Sequence, residues 1–258
     1  MARKWTKFPY PDKSIDRDDA AVKKAWARLH RGDAEPAPKD AAVLAAWTAF
    51  HAGRFADAVE AGLDAGDAGV NAAVKAQVVY ASYLEKSEKA KVALYEEAAG
   101  WAEARRAKAP KDANAHYLYA YALGRYSQGI SVAKALAQGF GGKIKEALTT
   151  AIKLEPKHAD AHIAYGAYQA EVIDKVGGIV AGVTYGAKKD SAVEHYQKAI
   201  KLNPDSAIAR IEYANGLLLL YGKGKIADAE KLYQEAAKIA PADAMERLDV
   251  EHAKAELE

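Results

Sequence analysis

The sequence has no cysteine, which removes disulfide bridges, thiolate metal ligands and a thiol nucleophile together. Any metal would have to come from histidine and carboxylates. Proline is scarce, eight residues in 258, so long helices meet few breaks. Runs of Val, Ile and Thr that would build a sheet are almost missing. No window holds the roughly 18 uninterrupted apolar residues of a membrane span, and Met1 to Tyr10 lacks the apolar stretch of a secretory signal. Neither sign of charge dominates: 37 Lys and Arg against 35 Asp and Glu leave a formal +2, too little for a nucleic-acid surface. The expectation is a cytoplasmic protein with no transmembrane segment, no nucleic-acid partner and no cofactor.

Alanine is what the chain has in quantity, and it is the residue of lowest helix cost and small enough to let helices approach closely. Three prolines anchor an internal repeat. The chain reads PKDANAHYLYAYAL from Pro110, PKHADAHIAYGAYQ from Pro156 and PDSAIARIEYANGL from Pro204. Ala recurs three and five residues past each proline, and Tyr119, Tyr165 and Tyr213 stand nine past it, each followed by a small residue. The segments leading into Pro156, Pro204 and Pro241 also agree: Ala151, Ala199 and Ala236 lie five residues before, and Leu148, Tyr196 and Tyr233 eight before. Further upstream, AAWTAFHAGRFADAVEAG places Gly53 to end one helix, Phe55 in the turn and Ala58 at the crossing.

This pattern resembles the tetratricopeptide-repeat (TPR) family, in which units of about 34 residues form helix A, a turn and helix B, with small residues at the crossings. The resemblance covers residues 39–241. It implies an all-α, right-handed TPR solenoid of about four repeats. Residues 1–38 are expected to supply an N-terminal segment and capping helix, and residues 242–258 a C-terminal capping helix. Helical spacing also predicts a pair at Val70 to Leu84 and Ser87 to Lys108, with poor agreement to the consensus.

The period is broken twice. Pro110 and Pro156 are 46 residues apart, and Pro156 and Pro204 are 48 apart, so two repeats carry insertions between helix A and helix B, at 124–142 and 172–189. Both are rich in Gly and aliphatic residues and poor in acids. With Gly142-Lys143-Ile144-Lys145-Glu146-Ala147-Leu148 after the first and Thr184-Tyr185-Gly186 in the second, residues 110–241 resemble the regulator-of-microtubule-dynamics subgroup of TPR-like proteins. Such proteins are helical interaction modules. The alanine-rich composition looks bacterial, so a microtubule role is not carried over.

By the family's register, the concave groove is lined by Asn114, Tyr117, Tyr121 and Gly124, then Asp160, Ile163, Ala167 and Ala170, then Ile208, Ile211, Asn215 and Leu218. Grooves that clamp a peptide carboxylate carry several Lys, Arg and Asn there, whereas this one is apolar and aromatic. It is expected to prefer an apolar segment, a lipid-like chain or the protein's own insertions. Tyr126, Phe140, Lys143, Tyr185 and Lys188 are the candidate contacts from the insertions. Lys134, Lys143, Lys145, Lys175, Lys188 and Lys189 are interleaved with these aromatics, a mixture that suits an acidic membrane surface as well as plain solvent.

Other motifs carry less. His116, His162 and Arg210 occupy equivalent repeat positions, and a full repeat separates the two histidines too widely for one ion at imidazole distance. No metal is expected, and the three read as polar bridges between helices. Gly139-Phe140-Gly141-Gly142-Lys143 fails as a phosphate loop, with Ala137 and Ile144 where Gly and Ser or Thr are needed, and reads as a flexible turn. Trp5, Phe8 and Tyr10 make the N-terminal segment aromatic enough to drape over the first helices. No HExxH, GxSxG or Ser-His-Asp spacing is present, so the chain is expected not to be an enzyme.

Two functional readings follow. The first is a non-catalytic scaffold or adaptor that takes a protein partner in its groove. The second is a carrier of a small apolar or lipid-like molecule, with the insertions folded across the groove. Self-association is a third expectation, because residues 1–31 hold nine basic against four acidic residues and residues 241–258 two against six.

Overall fold

The computed structural model describes residues 5–258, and these are helical with no strand among them. In order come α1 (Asp19–Leu29), α2 (Ala41–His51), α3 (Phe55–Asp64), α4 (Val70–Tyr83), α5 (Glu88–Lys108), α6 (Ala113–Gln128) and α7 (Val132–Ala137). Then follow α8 (Phe140–Leu154), α9 (Ala159–Val176), α10 (Gly178–Val180), α11 (Lys189–Leu202), α12 (Ala207–Tyr221), α13 (Ile226–Ala236) and α14 (Ala244–Ala255). Five antiparallel pairs stack in sequence: α2 with α3, α4 with α5, α6 with α8, α9 with α11, and α12 with α13. The α4 and α5 pair completes the stack although it carries almost none of the repeat signature. None of the described helices is long and apolar enough to cross a membrane.

The repeat motif has a local cause that can be traced atom by atom. Two residues past each anchoring proline stands an N-cap: Asp112, His158 and Ser206 accept from the backbone N–H of Ala115, Ala161 and Ala209 at 3.1–3.2 Å. This satisfies a donor that the first turn leaves open. Six residues past each proline, His116 Nε2, His162 Nε2 and Arg210 donate to the carbonyls of Pro110, Pro156 and Pro204, at 3.0, 3.2 and 2.8 Å. The three equivalent side chains therefore tie each helix A to the turn before it, where interhelical bridging was expected. His162 and Arg210 add a contact across, to His195 Nδ1 at 2.7 Å and Glu235 at 3.3 Å.

Between the paired helices, Ala151, Ala199 and Ala236 are fully buried at the crossings, beside Leu148, Tyr196 and Tyr233. Gly53 follows the end of α2 with φ of 77°, a left-handed conformation that a Cβ would strain. The N-terminal segment drapes over the same corner. Trp5 lies 3.8 Å from the ring of Tyr80, and Phe8 packs against Gly53 and edge-on to Phe55.

The C-terminal helix departs most from expectation. Instead of extending the stack, α14 folds back along the inner face and joins α12 and α13 to α1, α2 and α4. Arg28 on α1 holds Glu246 with two hydrogen bonds of 2.6 and 2.9 Å. His51 on α2 contacts Asp243 at 2.6 Å, and the Tyr83 hydroxyl on α4 donates to Asp249 at 2.5 Å. Arg17 donates to the carbonyl of Ala242. The opposite charges of the two chain ends, read as a motive for self-association, thus meet within one chain.

Candidate binding cavity

Below α14, a chain of buried polar groups crosses the molecule. Lys75 on α4 lies 2.5 Å from Asp33 and 3.8 Å from Asp160 on α9. Asp33 is 2.9 Å from His30 Nδ1, His30 Nε2 is 3.1 Å from His51 Nε2, and His51 Nδ1 meets Asp243. Burial works against the Lys75 charge, but Asp33 and Asp160 outweigh it and hold the ammonium above its ordinary value. Burial likewise drives His30 down to about 4. Removing one member would leave its partner charged and dry, which is far costlier than exposing a surface pair.

Above this floor lies a half-open cavity of about 280 Å³, just under the range for small-molecule sites, roughly 300–1,000 Å³. Its floor includes Lys75, Tyr83, Tyr117, Tyr121, Asp160, Met245 and Asp249. Ile163, Ala164, Ala167, Tyr168 and Ile208 form one wall, and Leu148 and Ile144 the other. Polar pairs stand along it: Arg125 meets Glu212 at 3.0 Å, while Gln128 donates to Glu171, which also takes Lys175. Tyr117 and Tyr121 stack at 5.9 Å, as do Tyr165 and Tyr168 at 6.0 Å.

The two insertions roof this space. In the first, α6 runs on to Gln128, a short turn leads through α7, and α8 begins at Phe140, inside the expected insertion. Ile130, Ala135, Leu136, Phe140 and Gly141 from this stretch line the cavity. In the second, α9 runs on to Val176, then α10 and a π turn at Ala181–Tyr185 lead to α11. Val176 and Tyr185 line the cavity from that side. The insertions meet where the Tyr185 ring covers Gly141, so closely that a Cβ there would stand 2.8 Å from Tyr185 Cε1. Gly141 and Gly142 belong to the first turn of α8 rather than to a flexible turn, and Gly141 serves close approach.

The groove positions read from the family register divide. Tyr117, Tyr121, Gly124, Asp160, Ile163, Ala167 and Ile208 line the cavity, as do Phe140 and Tyr185 from the insertions. Asn114, Ala170, Ile211, Asn215 and Leu218 do not. Asn114 donates to the carbonyl of Asp33 and meets His158; Ile211 is buried against α13 and α14; Asn215 accepts from Tyr233. Leu218 joins the same packing and Ala170 is buried against the α11 and α12 side. Tyr126 is buried against Phe140, Lys143 lies over the Phe140 ring, and the backbone N–H of Lys188 donates to Gln169. Lys75, Tyr83, Arg125, Tyr168, Glu212, Met245 and Asp249 also line it and carry no groove signal in the sequence. The acidic excess of residues 241–258 was the one sequence signal for Asp249.

The charges of the lining are nearly self-compensated. Burial pushes Asp249 up to about 8, against the lowering effect of the Tyr83 hydrogen bond, and pushes Asp160 up to about 6 against Lys75. Burial thus favours the neutral form of Asp249. The Tyr168 hydroxyl is buried without a hydrogen-bond partner.

Comparison with known proteins agrees with this architecture. A crystal structure of a thermophilic TPR protein from Thermus thermophilus superposes with a TM-score of 0.57 at 16% identity, covering 83% of this chain and 97% of that one. No curated protein matches the sequence. The model for the family described as regulator of microtubule dynamics protein 1-3 matches residues 70–258, a span that takes in both insertions and the inward-folded α14. The chain is a member of the regulator of microtubule dynamics protein 1-3 family, built on a TPR-type helical-repeat fold.

Proposed function

We propose that this chain is a non-catalytic binding protein that encloses an apolar or lipid-like molecule beneath its two insertions. The observation that carries this reading is the roof: both insertions reach across the groove and touch through Tyr185 and Gly141, over a cavity lined mostly by aliphatic and aromatic side chains. Apolar area removed from water supplies the affinity, roughly 25 cal/mol per Å². The unpartnered Tyr168 hydroxyl and the Arg125 and Glu212 pair supply polar contacts for a head group. An extended peptide in the concave face, the commoner use of such repeats, is disfavoured because α14 occupies that face and is fastened there at Asp243, Glu246 and Asp249.

Titration with a fluorescent phospholipid analogue tests the proposal. Saturable binding is expected in the native chain and strong weakening in Ala167→Phe, which fills the cavity from α9. Equal binding by both proteins, with helix content unchanged, would place the functional surface elsewhere.

A further inference from the structure

The most exposed large aliphatic side chains among the described residues sit on the second insertion. Ile179 and Val183 are each 86% exposed, with Val180 at 50% between them. They project from α10 and the π turn, a segment whose two ends, Val176 and Tyr185, line the cavity. On the first insertion Leu136, half exposed, stands at the same mouth. Several branched aliphatics held together in water at one tip mark a contact surface.

The charge of the two insertions is predominantly positive. Residues 124–145 contain Arg125, Lys134, Lys143 and Lys145 and no Asp or Glu, and residues 172–189 contain three lysines and one aspartate. Lys134 and Lys143 lie over the rings of Tyr126 and Phe140 rather than against carboxylates. Lys145 reaches toward Gly186. Ammonium groups so placed are available to an outside anion.

We propose that this surface docks on an acidic lipid bilayer, with Ile179 and Val183 entering the boundary between head groups and acyl chains and the lysines meeting lipid phosphates. Apolar insertion and cationic attraction are the two components of interfacial binding. Contact with a second copy through the same tip would bring like charges together, which opposes it. Docking sets the cavity mouth against the membrane. It concerns an outer surface and goes beyond the enclosed-ligand reading, without depending on it.

The absence of cysteine allows a direct test. Val183→Cys, labelled with the environment-sensitive fluorophore NBD, is mixed with phosphatidylcholine vesicles with and without phosphatidylserine. The expected result is a brighter, blue-shifted emission with phosphatidylserine, lost in high salt. Each of Lys134→Gln, Lys143→Gln and Lys145→Gln should weaken it about fivefold. Ile179→Asp should abolish co-flotation with these vesicles while circular dichroism and the phospholipid-analogue titration stay unchanged, which separates this surface from the cavity. Unchanged emission on adding acidic vesicles to the folded, labelled protein would overturn the proposal. So would an emission rise with protein concentration alone, accompanied by dimers in sedimentation, because the tip would then be a self-contact.

Discussion

The floor of the cavity is fastened by buried polar and charged groups from distant parts of the chain, whereas the two sides of its half-open roof touch where one tyrosine ring lies over a glycine. On the floor, Lys75, Asp33, His30, His51 and Asp243 join α4, α1, α2 and α14 in one connected line. In the roof, glycines punctuate short helices and the tip faces water. Opening free energy varies across a structure with the number of buried contacts that must be lost. If the proposed ligand is enclosed here, the insertions are the part expected to lift on entry while the repeats and α14 stay in place.

Lys75→Met leaves Asp33 buried without its cation and should cost about 3–5 kcal/mol, seen as a lower midpoint in urea denaturation. A loss below about 1 kcal/mol would mean that the floor is not held by this line.

The second test uses pH. Asp249, whose ordinary value is 3.8, is raised to about 8 in the folded chain, so the folded state binds its proton more tightly than the unfolded one. Its contribution is fully present below about pH 4 and is lost as the pH rises through about 8. Stability should fall across that window, and Glu35, also raised to about 8 by burial, acts in the same direction. Asp249→Asn should flatten the profile and raise stability at pH 9 by on the order of a few kcal/mol. A profile identical to that of the native chain would show that Asp249 does not titrate as its burial implies.

Smaller effects are expected in the roof. Gly141→Leu would displace Tyr185 yet should change global stability by less than about 1 kcal/mol, the usual range for a site outside the core. Release of a bound phospholipid analogue in stopped flow should become faster. Slower release, or gross unfolding, would put Gly141 in the framework and remove the distinction. The smallest effect belongs to Tyr168→Phe. It deletes a hydroxyl without a partner, so stability should hold or rise slightly, while affinity for the analogue falls by about 0.5–1.5 kcal/mol if that hydroxyl meets the ligand.

Much of the solenoid was legible because its determinants are local. Caps, crossing alanines and the Gly53 turn all act within one or two turns of the residues that encode them, and the prolines mark the period. The position of α14 was not legible for the opposite reason. Its inward face is defined by Arg28, His51 and Tyr83, residues well over a hundred positions away, and a helix's own periodicity gives no sign of what it packs against. The complementary charge of the two ends was visible, but composition does not distinguish pairing within a chain from pairing between chains.

The register of the groove was legible for α6 and α9, where Tyr117, Tyr121 and Ile163 line the cavity. It failed on most of α12, because α13 and α14 take Ile211, Asn215 and Leu218 into their own packing, and of the four register positions there Ile208 alone lines the cavity, beside Glu212. The three residues that follow the prolines by six were recognised as equivalent, and His162 and Arg210 do bridge to the neighbouring helix, but the bond that all three share was missed. Their acceptors are the proline carbonyls, which a reading of side chains alone does not consider.

Native mass spectrometry of the chain taken from its own host under gentle conditions, with Ala167→Phe alongside, tests the central claim most directly. The enclosed-ligand account predicts an added mass on the native chain that organic extraction removes, and none on the filled variant. A bare mass for both proteins, or the same adduct on each, would contradict it.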